Sequence, residues 1–140
     1  MDTYPTFRRH RIVTTMEFYS FMDEWNRVLG YATPSHHRQI MQFLVDIWEN
    51  SPHRGLLMAF RHSGKSTVVG IFAACVLYMR PSTRILILSA ENTLASRMVE
   101  HIRHILENHP WCSEMVPKNK KQWAPAASGC KIRCDAGFLR

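Results

Sequence analysis

The chain has 140 residues, enough for one domain with a modest core. Its 46% hydrophobic and 21% charged residues make an ordinary globular balance, which argues against wholesale disorder. Eighteen Lys and Arg against eleven Asp and Glu give a net charge of +7, which suits a polyanionic partner such as nucleic acid or nucleotide, and equally a basic, well-solvated surface.

Residues 1–13 read as a loose basic arm carrying Arg8, Arg9, His10 and Arg11, polar throughout and without the apolar run of a secretory signal. Thr14 and Glu17 are spaced as a capping box, and Phe18, Phe21, Met22, Trp25, Val28 and Leu29 follow at helical spacing, which predicts an amphipathic helix ending near Gly30. The stretch "GYATP" is a linker. Ser35 is placed to cap a second helix whose inner stripe is Ile40, Phe43, Leu44, Ile47 and Trp48. "NSPHRG" breaks the chain again.

"GLLMAF" (55–60) is a short apolar run bounded by turn signals, the pattern of a strand buried on both faces in a parallel sheet. From Thr67 to Met79 the chain is apolar nearly all round and stops before Arg80-Pro81, so a buried helix is expected. Its apolar run is too short to span a bilayer, which takes ~20 residues. "TRILILSA" (83–90) reads as a second buried strand, and residues 94–109 as a helix with Met98, Ile102, Ile105 and Leu106 inward. Strand, turn, helix, strand is a βαβ unit and implies a right-handed crossover and a parallel sheet. The last thirty residues are irregular, apart from a third candidate strand in "CKIRCD".

The junction between the first expected strand and the buried helix carries the chemistry. "AFRHSGKST" (59–67) ends on the tripeptide that closes the phosphate-binding pattern G-x-x-x-x-G-K-[S/T], with Ala59 in place of the first glycine. Such a loop needs backbone amides aimed at one spot and a helix N-terminus with its partial positive charge. Gly64 lets the backbone approach closely, Lys65 brings a positive charge to the β- and γ-phosphates, Ser66 offers a hydroxyl to Mg²⁺, and Thr67 starts the helix. Alanine at 59 is a mild replacement unless the position needs a positive φ.

These residues resemble the phosphate loop of the large terminase subunits, the DNA-packaging ATPases of tailed bacteriophages, which commonly carry a small residue at the position of Ala59 and an arginine at that of Arg61. "RPSTRILILSAENTLASRMVEHIRHIL" resembles that family's second strand and following helix, with Ala95 at a family alanine. "TPSHHRQIMQFL" resembles the segment ahead of the phosphate loop, and "LENHPWCSEMVPKNKKQWA" the segment after the helix, so the likeness covers about residues 31–125.

The resemblance implies an α/β fold: a RecA-like P-loop NTPase of three layers with a parallel sheet, incomplete and preceded by two N-terminal helices. It divides the chain into a helical lead, 1–50, and the N-terminal portion of the ATPase core, 51–140. It also implies ATP and Mg²⁺ as cofactors. Ala59, Phe60, Arg61, His62, Ser63, Gly64, Lys65, Ser66 and Thr67 would surround the phosphates, with Ser66 toward the metal. Arg61 would reach the γ-phosphate region as a catalytic cation, and His37 or Gln39 would lie near the adenine. The partners it implies are double-stranded DNA, a small terminase subunit, a portal ring and the remainder of the terminase, in the host cytoplasm and without a membrane.

Hydrolysis in that family uses an apolar strand followed by two acidic residues. Glu91, Glu100, Glu107, Glu114 and Asp135 do not stand in that pattern, and there is no room for the family's nuclease domain. The expected reading is an ATP-binding fragment that stops before the acidic, Mg²⁺-binding strand, with negligible turnover by itself and an open sheet edge. Two other functions fit parts of the sequence: a non-catalytic basic DNA-binding or assembly module, and a small P-loop kinase, although the latter usually carries its loop nearer the N-terminus. His109, Cys112, Cys130 and Cys134 lack the paired spacing of a structural zinc site, and the four cysteines are read as reduced thiols. "PKNKKQW" (117–123) is basic and reads as a solvated loop before it reads as a DNA contact.

Overall fold

The computed structural model describes residues 15–115 and the backbone of residues 131–136. Four helices dominate: α1 (Thr15–Val28), α2 (Ser35–Glu49), α3 (Lys65–Met79) and α4 (Asn92–Asn108). A strand, β1 (Arg84–Ser89), joins α3 to α4, a 3₁₀ turn (Pro110–Met115) follows α4, and the backbone of Lys131–Ala136 (β2) runs parallel to β1 with Arg84 opposite Lys131 and Ser89 opposite Ala136.

Helix α3 is the centre of the molecule. Its sequence offers no polar face between Val68 and Met79, and Val68, Ile71, Ala74, Cys75, Val76 and Leu77 are all buried. A helix apolar all round must be covered on several sides. α1, α2 and α4 cover it, and their buried residues form one cluster with it. From α1 come Phe18, Phe21, Met22 and Trp25, with Phe18 stacked on Phe72 of α3 at 5.0 Å. α4 adds Ile102, Ile105 and Leu106, and the 3₁₀ turn adds Cys112.

The first two helices meet through a polar network that fixes where α2 begins. Asp23 of α1 accepts hydrogen bonds from Thr33 Oγ1 at 2.7 Å and from Arg38 Nη2 at 2.9 Å. Asn26 Nδ2 donates to Thr33 Oγ1 at 2.9 Å, and the Arg38 guanidinium also lies 5.7 Å from the centre of the Tyr19 ring. Pro34, not Ser35, occupies the N-cap of α2, and its carbonyl accepts from the amides of His37 and Arg38. The buried stripe of α2 is Ile40, Met41 and Val45. Phe43, Leu44, Ile47 and Trp48, expected at its centre, are half-buried on its flanks.

The expected RecA-like, three-layer parallel sheet is not seen. The described residues are mainly helical, and 55–60, expected as the first strand of that sheet, forms no strand. Residues 53–60 form no helix and no strand pairing among the described residues. Leu57 packs on the core, but Leu56 is 79% exposed, Met58 81% and Phe60 69%. β1 behaves the same way: Ile85 and Ile87 touch the core, whereas Leu86 and Leu88 are exposed. Both segments were expected to be buried on two faces, and each buries one. The physical reason is that an apolar run becomes a central strand only when neighbours satisfy both its backbone edges and its outer face. The helices here supply an inner face alone.

Candidate nucleotide-binding loop

The chain turns sharply between residue 60 and α3. Ser63 N donates to the Phe60 carbonyl at 3.2 Å, and His62 adopts a positive φ of 65°. Gly64 follows at φ 77°, ψ 15°, in the left-handed region that glycine enters without penalty. It is the N-cap of α3, which begins at Lys65, two residues before the expected start at Thr67. The first helical bond runs from Val68 N to Gly64 O at 3.0 Å. The amides of Gly64, Lys65, Ser66 and Thr67 have no backbone partner among the described residues, and no side chain caps the helix. Four unengaged N–H groups at a helix start, with the partial positive charge of the helix behind them, favour an anion.

Side-chain charge at this turn has the same sign. Neither Arg61 nor Lys65 has a carboxylate partner among the described residues, and no acidic residue occupies the first turn of α3. Arg61, His62, Ser66 and Thr67 are exposed, so a ligand in solvent can reach them. Ser63 is 2% exposed, and its hydroxyl has no partner among the described residues. Ala59 is half-buried, and Phe60 is exposed with its ring 6.1 Å from that of His36.

The two residues expected near an adenine go to different places. His37 lies against the loop itself. Its Nε2–H donates to the Ser63 carbonyl at 3.1 Å, and a Cβ at position 64 would overlap its imidazole. Burial, together with the neighbouring His36, holds its pKa below the usual histidine value, and the bond to Ser63 offsets part of that. Gln39 instead lines an open groove between α1 and α2 with Tyr19, Arg38, Gln42, Phe43 and Asp46.

One neighbour of the loop was not foreseen. His101 of α4 approaches the Thr67 carbonyl through Nε2 at 3.4 Å and fills the space over Gly70, where a Cβ would overlap its ring. The signal available in the sequence was that glycine, in the middle of an otherwise unbroken apolar helix. Burial lowers the pKa of His101 as well.

Among the described residues no group of three or more His, Cys, Asp or Glu could hold a metal ion. His109, weighed above as a zinc ligand, uses both ring nitrogens: Nε2–H donates to the Phe21 carbonyl at 3.0 Å, and Nδ1 accepts from Trp111 N at 3.1 Å. Cys75 and Cys112 are free and buried; burial pushes the Cys112 thiol up to about 12 and that of Cys75 higher still. The side chains of Cys130, Cys134 and Asp135, the basic arm and the 117–123 run lie outside the described residues. No helix among the described residues is long and apolar enough to cross a membrane. No family model, curated protein or solved structure matches the chain.

Proposed function

We propose that this chain binds the triphosphate of ATP, with Mg²⁺, at the loop formed by residues 59–67. The observation that carries the reading is the left-handed Gly64 opening α3 with four amides that, like the cations Arg61 and Lys65 flanking them, have no partner among the described residues. Oriented amides and a fixed positive charge stabilise a polyphosphate more than any neutral ligand. Lys65 would meet the β- and γ-phosphates, and the exposed Ser66 hydroxyl would meet the metal. The reading rests on the loop and does not require a RecA-like sheet.

Within that reading, the resemblance of "AFRHSGKST" and of residues 80–106 to the large terminase subunits supports a role in a viral DNA-packaging motor. Double-stranded DNA, a small terminase subunit, a portal ring and the remainder of a terminase would be its partners, in the host cytoplasm. Arg61 would stand near the γ-phosphate. We expect binding without appreciable hydrolysis, because Glu91, Glu100, Glu107, Glu114 and Asp135 do not stand as an acidic pair after an apolar strand.

The experiment is calorimetric titration of the 140-residue chain with Mg·ATP, for the wild type and Lys65→Ala. Binding that the substitution removes supports the proposal; no heat and no thermal stabilisation at millimolar Mg·ATP overturns it. The net charge of +7 favours a second reading, a basic DNA-binding module. Salt-dependent DNA binding that is indifferent to ATP and to Lys65→Ala would replace the first reading with the second.

A further inference from the structure

In a trans peptide the carbonyl and the following N–H point in opposite directions. Whatever holds the Ser63 carbonyl therefore also aims the Gly64 amide. Had α3 been extended backwards by one regular residue, the Ser63 carbonyl would have accepted from Thr67 N. Instead it accepts from His37 Nε2, and Thr67 N has no backbone partner among the described residues.

His37 is also the surface against which the loop is moulded. Gly64 lies so close to the imidazole that no side chain fits between them. His37 is itself held by the residues that precede it at the start of α2. Its backbone amide donates to the Pro34 carbonyl at 3.1 Å, and His36 meets it edge-on at 4.6 Å. Behind these, the Asp23–Thr33–Arg38 network fixes the start of α2 to α1. One imidazole thus connects the α1–α2 framework to the peptide that opens the candidate phosphate site.

We infer that His37 is a positioning residue for polyphosphate: by holding the Ser63 carbonyl it turns the Gly64 amide, and frees the Thr67 amide, toward the anion. This rests on the ATP-binding reading above and assigns His37 to the phosphates in place of the adenine. Only the Nε2–H form of the ring donates to the carbonyl, and a side chain with an amide donor at similar reach can replace it.

The test uses the full chain and two ligands, Mg·ATP and inorganic tripolyphosphate, which has no base. Dissociation constants and melting temperatures are measured for the wild type, Lys65→Ala, His37→Leu and His37→Gln. The expected result is that His37→Leu weakens both ligands by the same factor, about tenfold, the size of one well-placed hydrogen bond to a charged group. His37→Gln restores both ligands to within about threefold at a melting temperature equal to that of His37→Leu, so fold stability does not account for the recovery.

Weakening of ATP alone, with tripolyphosphate unchanged, would make His37 a base contact and overturn the inference while leaving the ATP reading intact. No change for either ligand in His37→Leu would also overturn it. Absence of binding by the wild type, or an unchanged Lys65→Ala, overturns the ATP reading and this inference with it. Amide NMR shifts of the unliganded protein read the positioning without any ligand. Gly64 and Thr67 move in His37→Leu and return in His37→Gln; unmoved amides contradict the inference.

Discussion

His109 ties the two ends of the described chain together, and its protonation should set the acid limit of stability. The ring is 1% exposed and stacks on Phe21 at 3.8 Å with the planes 5° apart. Its nitrogens bond the Phe21 carbonyl, 88 residues away in sequence, and the Trp111 amide. Burial holds its pKa below the ordinary value, while the Phe21 bond and nearby Glu24 pull the other way and do not reverse it.

The sign follows from linkage. The unfolded chain takes up a proton at an ordinary pKa of about 6.5, and the folded chain resists it to lower pH. The stabilisation is therefore fully present above about pH 6.5 and is lost as pH falls from there toward the depressed folded value. Within that window, one differential proton changes stability by at most about 1.4 kcal/mol per pH unit. His37 and His101 are shifted in the same direction, so their contributions add to the acid loss.

The variant His109→Gln removes the titration and the stack, and it leaves the Trp111 amide without its ring acceptor. At pH 8 it should be less stable by about 2 to 4 kcal/mol, from one or two hydrogen bonds and a partly filled ring space. Urea unfolding at pH 8, 6.5 and 5.5 measures both proteins. The wild-type advantage should be constant between pH 8 and 7 and shrink on further acidification. A gap that is independent of pH, or that widens toward pH 5.5, would refute the assignment of His109 as a buried neutral ring.

Other outcomes follow from single positions. Gly64→Ala should cost about 2 kcal/mol or more in thermal or urea unfolding, because φ 77° is unfavourable with a Cβ and that Cβ would meet His37. Ile87→Asp should destabilise by about 3 kcal/mol, whereas Leu86→Asp next to it stays within about 0.5 kcal/mol. One side chain touches the core and the other is 57% exposed, so equal losses would contradict the one-sided burial of β1. Asp23→Ala should leave Arg38 and Thr33 without their acceptor and loosen the start of α2. Hydrogen exchange at residues 35–38 reads this directly, and unchanged protection there would count against the α1–α2 framework.

Helices were legible from the run of apolar residues along each, on one face or all round. The 3.6-residue spacing of Phe18, Phe21, Met22 and Trp25 located α1, and the unbroken run before Arg80-Pro81 located α3 as the buried helix. Spacing says less about extent: Val28 and Leu29 continue the α1 pattern but are exposed. The segment 55–60 could not be resolved by the same means. Its residues would suit a central strand, but strand pairing is a property of the neighbours, and composition does not report whether any are present.

At the loop, Gly64-Lys65-Ser66 was legible as a phosphate motif. The positions of His37 and His101 were not, since each meets its partner carbonyl across 26 and 34 residues respectively. A histidine at a helix start reads as a solvated residue until the fold brings a carbonyl to it. His109 is the extreme case: expected as the last residue of the helix, it is the C-cap of α4 and is buried against three aromatic rings.

We propose the turn into α3 as an anion site selective for polyphosphate. Titrating the unaltered chain with Mg·ATP while following the amide resonances of residues 63–67 tests it most directly. Saturable shifts confined to those amides and their neighbours, lost in Lys65→Ala, are expected. Shifts spread evenly over the basic surface, or none at millimolar ligand, would contradict it.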